Sequence, residues 1–242
     1  MIGVLFLITG TLFGSFANVC ILRLPKNENI IFKSSYCPEC NNKIDWLNNI
    51  PVISYVILRG HSKCCNKKIS IQYPLVEFFL GILFLLNYIL FDLSQAILLS
   101  GFFFLITIVI VIDFNKQIIF DIFPYIIIVF GLLITFFFPT LNPFQVGILN
   151  SLFSVVISFT LFLTIRKVFK KVKKKEGLGL GDAKLVAALS AWTGFENFLY
   201  LLIISSLIGI IYYFIVKKKR SQEVRIPFGS ALGIGFIILL LY

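Results

Sequence analysis

The chain has 242 residues, of which 59% are hydrophobic and only 14% charged, with 28 phenylalanines and a formal net charge of +11. A water-soluble domain of this size needs far more charge to cover its surface, so that class is excluded. The excess of positive charge is not spread as a nucleic-acid interface would need, so no nucleic-acid partner is expected.

Apolar runs at 1–22, 75–91, 95–112, 122–138, 144–165, 197–216 and 226–242, uncharged but for Glu77, are each candidates to span a hydrocarbon core of about 30 Å. The expected class is an all-α polytopic membrane protein. The first run has no basic residue before it, and Arg23 and Lys26 follow it, so it reads as a retained helix rather than a cleaved signal peptide. A lipoprotein site at Cys20 is disfavoured by Val19, which stands where a small residue is wanted.

The basic residues alternate along the chain. Eight Lys/Arg lie in 23–73, one (Lys116) follows the third run, seven lie in 166–175 and five in 217–225. The intervening connections 92–94, 139–143 and 194–196 carry none. Positive residues favour the cytoplasmic side, so this pattern predicts about eight transmembrane helices with both termini outside. The count requires residues 183–194 to cross as well, although they give only about 18 Å of helix. Gly177–Gly181 would then lie below the headgroups, where irregular backbone survives only against protein or a water-filled cavity. The expected organisation is a first transmembrane helix at 1–22, a cytoplasmic loop at 23–74, and a membrane-embedded core at 75–242.

Two acids stand out. Asp113 ends the third apolar run and Asp182 opens the short sixth one, both at the expected cytoplasmic edge. A carboxylate at bilayer depth costs roughly 2.5–3.5 kcal/mol on insertion scales, so two at one depth point to a shared task. A carboxylate pair that shares one proton can activate water with one member and polarise a peptide carbonyl with the other. Glycines at 177, 179 and 181 would let a substrate backbone approach. The competing reading is a turn followed by a helix cap. Glu77, Asp121 and Lys184 lie at the same expected depth as supporting residues; Asp121 also suits a cap, and Glu77 can line the same cavity. Asp92 and Glu196 read as solvated turn residues.

The 23–74 loop holds Cys37, Cys40, Cys64 and Cys65. Cys37-Pro-Glu-Cys40 has the spacing that closes two thiolates on one tetrahedral zinc. Adjacent Cys64 and Cys65 chelate less well, while His61 restores the two-residue gap to Cys64. Structural zinc and free thiols both remain open from spacing. No internal repeat is evident.

Several motifs in order carry a resemblance. They are Gly14-Ser-Phe-Ala-Asn18-Val-Cys-Ile-Leu-Arg23-Leu-Pro25, the Cys37–Cys40 knuckle, Ile69-Ser-Ile-Gln-Tyr73-Pro-Leu-Val-Glu77, Ile112-Asp113-Phe114, Gly179-Leu-Gly-Asp182 and Ile226-Pro-Phe-Gly229. Together they resemble the type IV prepilin peptidases, a GxGD-type membrane aspartyl protease family. The resemblance implies an enzyme of the bacterial inner membrane, multi-pass, with its active site facing the cytoplasm. It implies removal of the short basic leader of prepilins and pseudopilins before their hydrophobic helix, with Asp113 and Asp182 as the catalytic pair and Gly179 and Gly181 beside them. It also implies N-methylation of the new terminus with S-adenosylmethionine, and zinc ligation by Cys37, Cys40 and Cys65. Ser62 stands where the family commonly has the remaining cysteine, so Cys64 or His61 must substitute. Two other departures, Phe120-Asp121 for Pro-Asp and Ser230 for the second proline of PFGP, are expected not to touch the acid pair. A peptidase without methyltransferase activity, a small proton- or cation-coupled transporter and a non-catalytic scaffold are the alternatives.

Overall fold

The computed structural model describes residues 1–31, 35–174, 177–217 and 225–242. Lys33, Lys175, Lys218, Lys219 and Arg220, which contribute to the charge pattern above, lie outside them. The described residues form helices and turns with two isolated β-bridges and no strand. The chain divides into two compact units, residues 1–108 and 109–242.

In the first unit α1 (Ile2–Arg23) packs along α3 (Gln72–Leu90). Gly10 and Gly14 form a small-xxx-small pair that brings the two backbones together. A Cβ at Gly14 would stand 2.5 Å from the Glu77 Cα, and one at Gly10 would stand 2.6 Å from the Leu80 carbonyl. Between these helices lies the cysteine loop, with one short helix, α2 (Ile53–Ile57). The start of α4 (Leu93–Lys116) completes the unit.

The second unit contains the end of α4, then α5 (Ile122–Phe137), α6 (Ile148–Lys173), α7 (Leu180–Lys217) and α8 (Phe228–Leu241). α6 carries its helix through most of the basic run, ending at Lys173 where cations suit the helix C-terminus. α7 is interrupted at Gly194, where φ is +67° and ψ is 179°, a conformation open essentially to glycine alone. The break yields helical stretches 180–193 and 195–217. The amide of Phe195 freed there donates to Asn150 Oδ1 at 3.1 Å.

The stretch 180–193 is the hub of this unit, with Ala183 and every residue from Leu185 to Thr193 buried. α5, α6 and α8 all pack on α7. Small residues let them approach, and several buried polar groups find partners. Ser190 Oγ lies 2.8 Å from Ser158 Oγ, Trp192 Nε1–H donates to the Ile127 carbonyl at 3.0 Å, and Ser151 donates to the Ala191 carbonyl at 2.5 Å. Such pairing suits a medium without water, where an unpaired polar group is costly.

Large apolar side chains instead point outward, among them Leu5, Ile8 and Leu12 on α1, Leu149, Phe153 and Val156 on α6, and Ile203, Leu207 and Ile211 on α7. Exposed apolar surface on this scale fits a lipid environment. Among the described residues five helices are long and apolar enough to cross a bilayer, and α5 and α8 are shorter apolar helices. The chain is thus an all-helical polytopic membrane protein, as its composition suggested.

Candidate active site and cysteine cluster

Asp113 lies near the C-terminal end of α4 and is only 4% exposed. Its carboxylate meets the N-terminus of α8, whose first amides have no partner within their own helix. Ser230 N–H donates to Asp113 Oδ2 at 2.6 Å, and the Ser230 hydroxyl lies 3.0 Å from the same oxygen. A Cβ at Gly229 would fall 3.1 Å from that oxygen, so glycine there lets the helix end close on the acid. The expectation that the Ser230 departure leaves the acid pair untouched is therefore wrong. Proline at 230 would carry neither donor, and the sequence gives no hint of the contact because the partners are 117 residues apart.

Asp182 occupies the third position of α7, partly exposed, and its Oδ2 accepts the Gly179 N–H at 3.0 Å. This is half of a capping box, an N3 acid reaching back to the N-cap amide. The cap reading of Gly-Leu-Gly-Asp is thus correct as local structure. It does not exclude a second role, because a carboxylate has two oxygens and the bond uses one. Asp113 lies within electrostatic reach of Asp182, so the fold brings together the two acids that the sequence singled out.

Ile119, in the turn between α4 and α5, fills the space that side chains at Gly181 and Gly229 would need. Its Cβ lies 2.9 Å from a Cβ at 181 and its Cδ1 lies 2.6 Å from one at 229. Sequence reading missed this residue, since nothing in an isolated isoleucine marks it.

Asp121 precedes α5 but makes no side-chain cap bond. It pairs instead with Lys184 Nζ at 2.7 Å, and the same ammonium lies 5.2 Å from the centre of the Tyr125 ring. Polar support, rather than capping, is what Asp121 supplies. It ties the α4–α5 turn to the first turns of α7, two residues beyond Asp182. Asp92 and Glu196 are exposed, as read.

Two carboxyls that share one proton can act together, one taking a proton from water while the other donates one.

In the first unit the four loop cysteines converge, with all their sulfurs within 4.8 Å of one another. Cys37 and Cys65 Sγ are 3.8 Å apart, and Cys40 and Cys64 Sγ are 3.2 Å apart. Zinc–sulfur bonds of about 2.3 Å in a tetrahedron set thiolates roughly 3.8 Å apart, so the donor set fits such an ion. Burial opposes ionisation of Cys37, but the amides of Cys40 and Glu39 and the thiols of Cys40 and Cys64 outweigh it and hold Cys37 down to about 6. The Asn42 amide works the other way on Cys40, which the neighbouring Cys64 thiol, followed by its slight burial and the thiols of Cys37 and Cys65, pushes up to about 12. His61 is not in the group; its Nδ1 lies 2.9 Å from the Arg59 carbonyl.

The loop also holds a repeat that the sequence reading overlooked. Around Cys37, its amide donates to Asn42 and its carbonyl accepts from Asn41, with Tyr36 bridging Lys43. Around Ser62, its amide donates to Lys67 and its carbonyl accepts from Asn66, with His61 bridging Lys68. Asn41 and Asn66 both adopt positive φ, which asparagine tolerates better than most residues. Ser62 therefore takes the place of Cys37 in the second knuckle and Cys65 that of Cys40. Cys64, two positions after Ser62, restores the fourth thiol. The signal was present as Cys-x-x-Cys-Asn-x-Lys against Ser-x-x-Cys-Asn-x-Lys.

Beside this cluster is a cavity of about 530 Å³ bordered by Cys37 and Cys64, with Asn18, Arg23, Tyr73 and Glu77 in its wall. This volume falls within the usual range for small-molecule sites. Glu77 is buried and accepts the Val52 N–H at 2.7 Å. Val52 sits at φ +60°, a region that β-branched residues avoid, and the carboxylate pins it there. Asn18 donates to the Tyr73 carbonyl at 3.0 Å, while its buried Oδ1 has no partner among the described residues.

Comparison with known proteins covers both units. The model of the bacterial peptidase A24 N-terminal domain matches residues 8–91, and that of the type IV leader peptidase family matches residues 99–214. The chain is 32% identical to a prepilin leader peptidase/N-methyltransferase of Vibrio cholerae, covering 98% of this chain and 95% of the relative. It is 34% identical to one from Klebsiella pneumoniae (82% and 88%) and 32% identical to one from Neisseria gonorrhoeae (96% and 87%). No solved structure gives a significant match. The near-complete coverage and the order of the two domain matches lead to one conclusion: the chain belongs to the type IV leader peptidase family.

Proposed function

We propose that this chain cleaves the basic leader from prepilin-like substrates with Asp113 and Asp182, and methylates the amine that cleavage exposes. The observation that carries the first half is the meeting of two carboxylates, each at a helix N-terminus, inside a helical membrane unit. One carboxylate takes a proton from water as its oxygen attacks the scissile carbonyl. The other, protonated, donates to the carbonyl oxygen. Collapse of the tetrahedral adduct breaks the C–N bond, and a proton passes to the leaving amine. Lys184 and Asp121 hold the turn beside the pair. Ile119 packs against Gly181 and Gly229 beside the pair.

The alternation of Lys/Arg supports eight crossings with both termini outside and the acid pair on the cytoplasmic side, where the basic leader of a prepilin lies. Counting α7 as two segments at Gly194 supplies the eighth. On this reading residues 1–22 form the first crossing, 23–74 the cytoplasmic loop and 75–242 the core.

The four cysteines would hold a structural zinc that fixes the wall of the neighbouring cavity. S-adenosylmethionine, when bound, supplies a methyl group to a deprotonated amine. The buried Glu77 carboxylate and the unpartnered Asn18 oxygen suit a cationic guest, and the cavity has the volume for it. The deciding experiment uses the full chain in membranes with a prepilin and labelled S-adenosylmethionine. Asp113→Asn and Asp182→Asn are each expected to abolish cleavage while the protein still inserts. Normal cleavage by either would remove the acid pair from the mechanism, and absence of label on the cleaved product would leave a peptidase alone.

A further inference from the structure

We infer that Ser230 is a positioning residue for Asp113, fixing which of its oxygens faces the reacting water and serving the carboxyl in either protonation state. The inference rests on the reading of Asp113 as one of the catalytic pair.

Ser230 is only 2% exposed, so its polar atoms must be satisfied by protein. Its amide and hydroxyl both approach Asp113 Oδ2, at 2.6 and 3.0 Å. Two contacts on one oxygen orient the carboxyl plane. The hydroxyl has a second acceptor in reach, the Ile110 carbonyl at 2.8 Å, one turn earlier on α4. A hydroxyl carries one hydrogen and two lone pairs, so it can serve only one of these acceptors at a time. When Asp113 is ionised, the hydrogen points to Oδ2. When Asp113 carries a proton, the hydrogen turns to Ile110 and a lone pair faces the acid. One bond rotation therefore keeps the buried group paired through a cycle in which the acid gains and loses a proton.

Placement on α8 matters as well. Ala231 N–H already bonds back to the Pro227 carbonyl, so Ser230 provides the last amide of the helix end not used internally. Asp113 caps α8 from another helix, and the same contact that closes the helix aims the acid. The PFGP pattern, with proline at this place, offers neither donor. The arrangement is thus a property of this chain rather than of the motif it resembles.

The test measures kcat, KM and the pH–rate profile of prepilin cleavage for the full chain in detergent or membranes. Ser230→Ala and Ser230→Cys remove the strong hydroxyl contact while keeping the amide; Ser230→Thr keeps both. Hydrogen bonds to charged groups are stronger than those between neutral ones. Ala and Cys are therefore expected to lower kcat by about tenfold or more, with KM within about twofold and the pH–rate profile displaced. Thr is expected to restore both. Ser230→Pro, which also removes the amide, is expected to fall at least as far as Ala.

Wild-type kcat and an unmoved pH profile in Ala and Cys would overturn the inference. So would a loss common to Ala, Cys and Thr that tracks lowered thermal stability with the profile unmoved, because that is packing alone. Asp113→Asn, assayed alongside, separates the two levels. Normal cleavage by that variant would overturn the acid-pair reading and the role of Ser230 with it, whereas its inactivity beside an unaffected Ser230→Ala would overturn Ser230 only.

Discussion

The acid site and the cysteine cluster use opposite methods to bring polar groups together. The cluster is built from two short knuckles within one loop, Tyr36–Lys43 and His61–Lys68, each closed by its own backbone hydrogen bonds. The acid site draws Asp113, Asp182 and Ser230 from three helices, with a contact of 2.6 Å spanning 117 residues. Local assembly tolerates change in the register of a thiol, as the shift from position 62 to Cys64 shows. Assembly across helices tolerates less, since each partner's direction is set by packing far from the acids.

The sharpest test of that contrast is the acid pair itself. Replacing Asp113 or Asp182 by Asn should reduce cleavage by at least about a thousandfold, as expected when one member of a unit acting together is lost. It should leave metal content unchanged, by elemental analysis of purified protein. Retained cleavage would break the comparison at its root.

Next in size is the metal. Removing zinc with a chelator, or changing Cys40 to Ser, should release about one ion per chain and abolish methyl transfer, while peptide cleavage falls by less than about tenfold. The expectation follows from the role of structural zinc in loops with little core of their own. A parallel collapse of cleavage would show that the two regions are not separable.

Glu77→Gln keeps the shape of the cavity wall and the Val52 contact but removes a charge. Methyl transfer should fall about tenfold, through weakened binding of S-adenosylmethionine in a direct titration, with cleavage intact. A tenfold change corresponds to about 1.4 kcal/mol. Unchanged binding would place the methyl donor elsewhere.

The smallest effect expected concerns the break in α7. Gly194→Ala forces a side chain into positive φ and against Val146, whose Cγ1 lies 2.9 Å from the new Cβ. A stability loss of about 1–3 kcal/mol should appear as a lower unfolding temperature in detergent, with little change in the cleavage rate at low temperature. A larger loss of rate than of stability would tie this turn to the acid site.

Much of this was legible from the chain alone. The apolar runs gave the class, and the positions of Asp113 and Asp182 at the ends of two runs singled out the acids that the fold brings together. Spacing also marked Cys37 and Cys40. The partners of these residues were not legible, for physical reasons. Ser230 and Ile119 act through where a helix end and a turn happen to point, which depends on the packing of α8 and α4 rather than on local composition. Asp121 looked like a cap because it precedes a helix, yet the ammonium of Lys184 offered a better partner than the helix amides. The second knuckle was obscured by one substituted residue, although its Asn and Lys were in register with the first.

The long reach from Asp113 to Ser230 also has a consequence in time. A ribosome adds about 5–20 residues per second, so roughly 6–23 s pass between synthesis of the acid and synthesis of the residue that holds it. During that interval the α4 carboxylate lacks its α8 partner, and the half-built protein cannot present the finished arrangement to the membrane proteins around it. On the proposed reading of Asp113, cleavage can therefore begin only once α8 has been made.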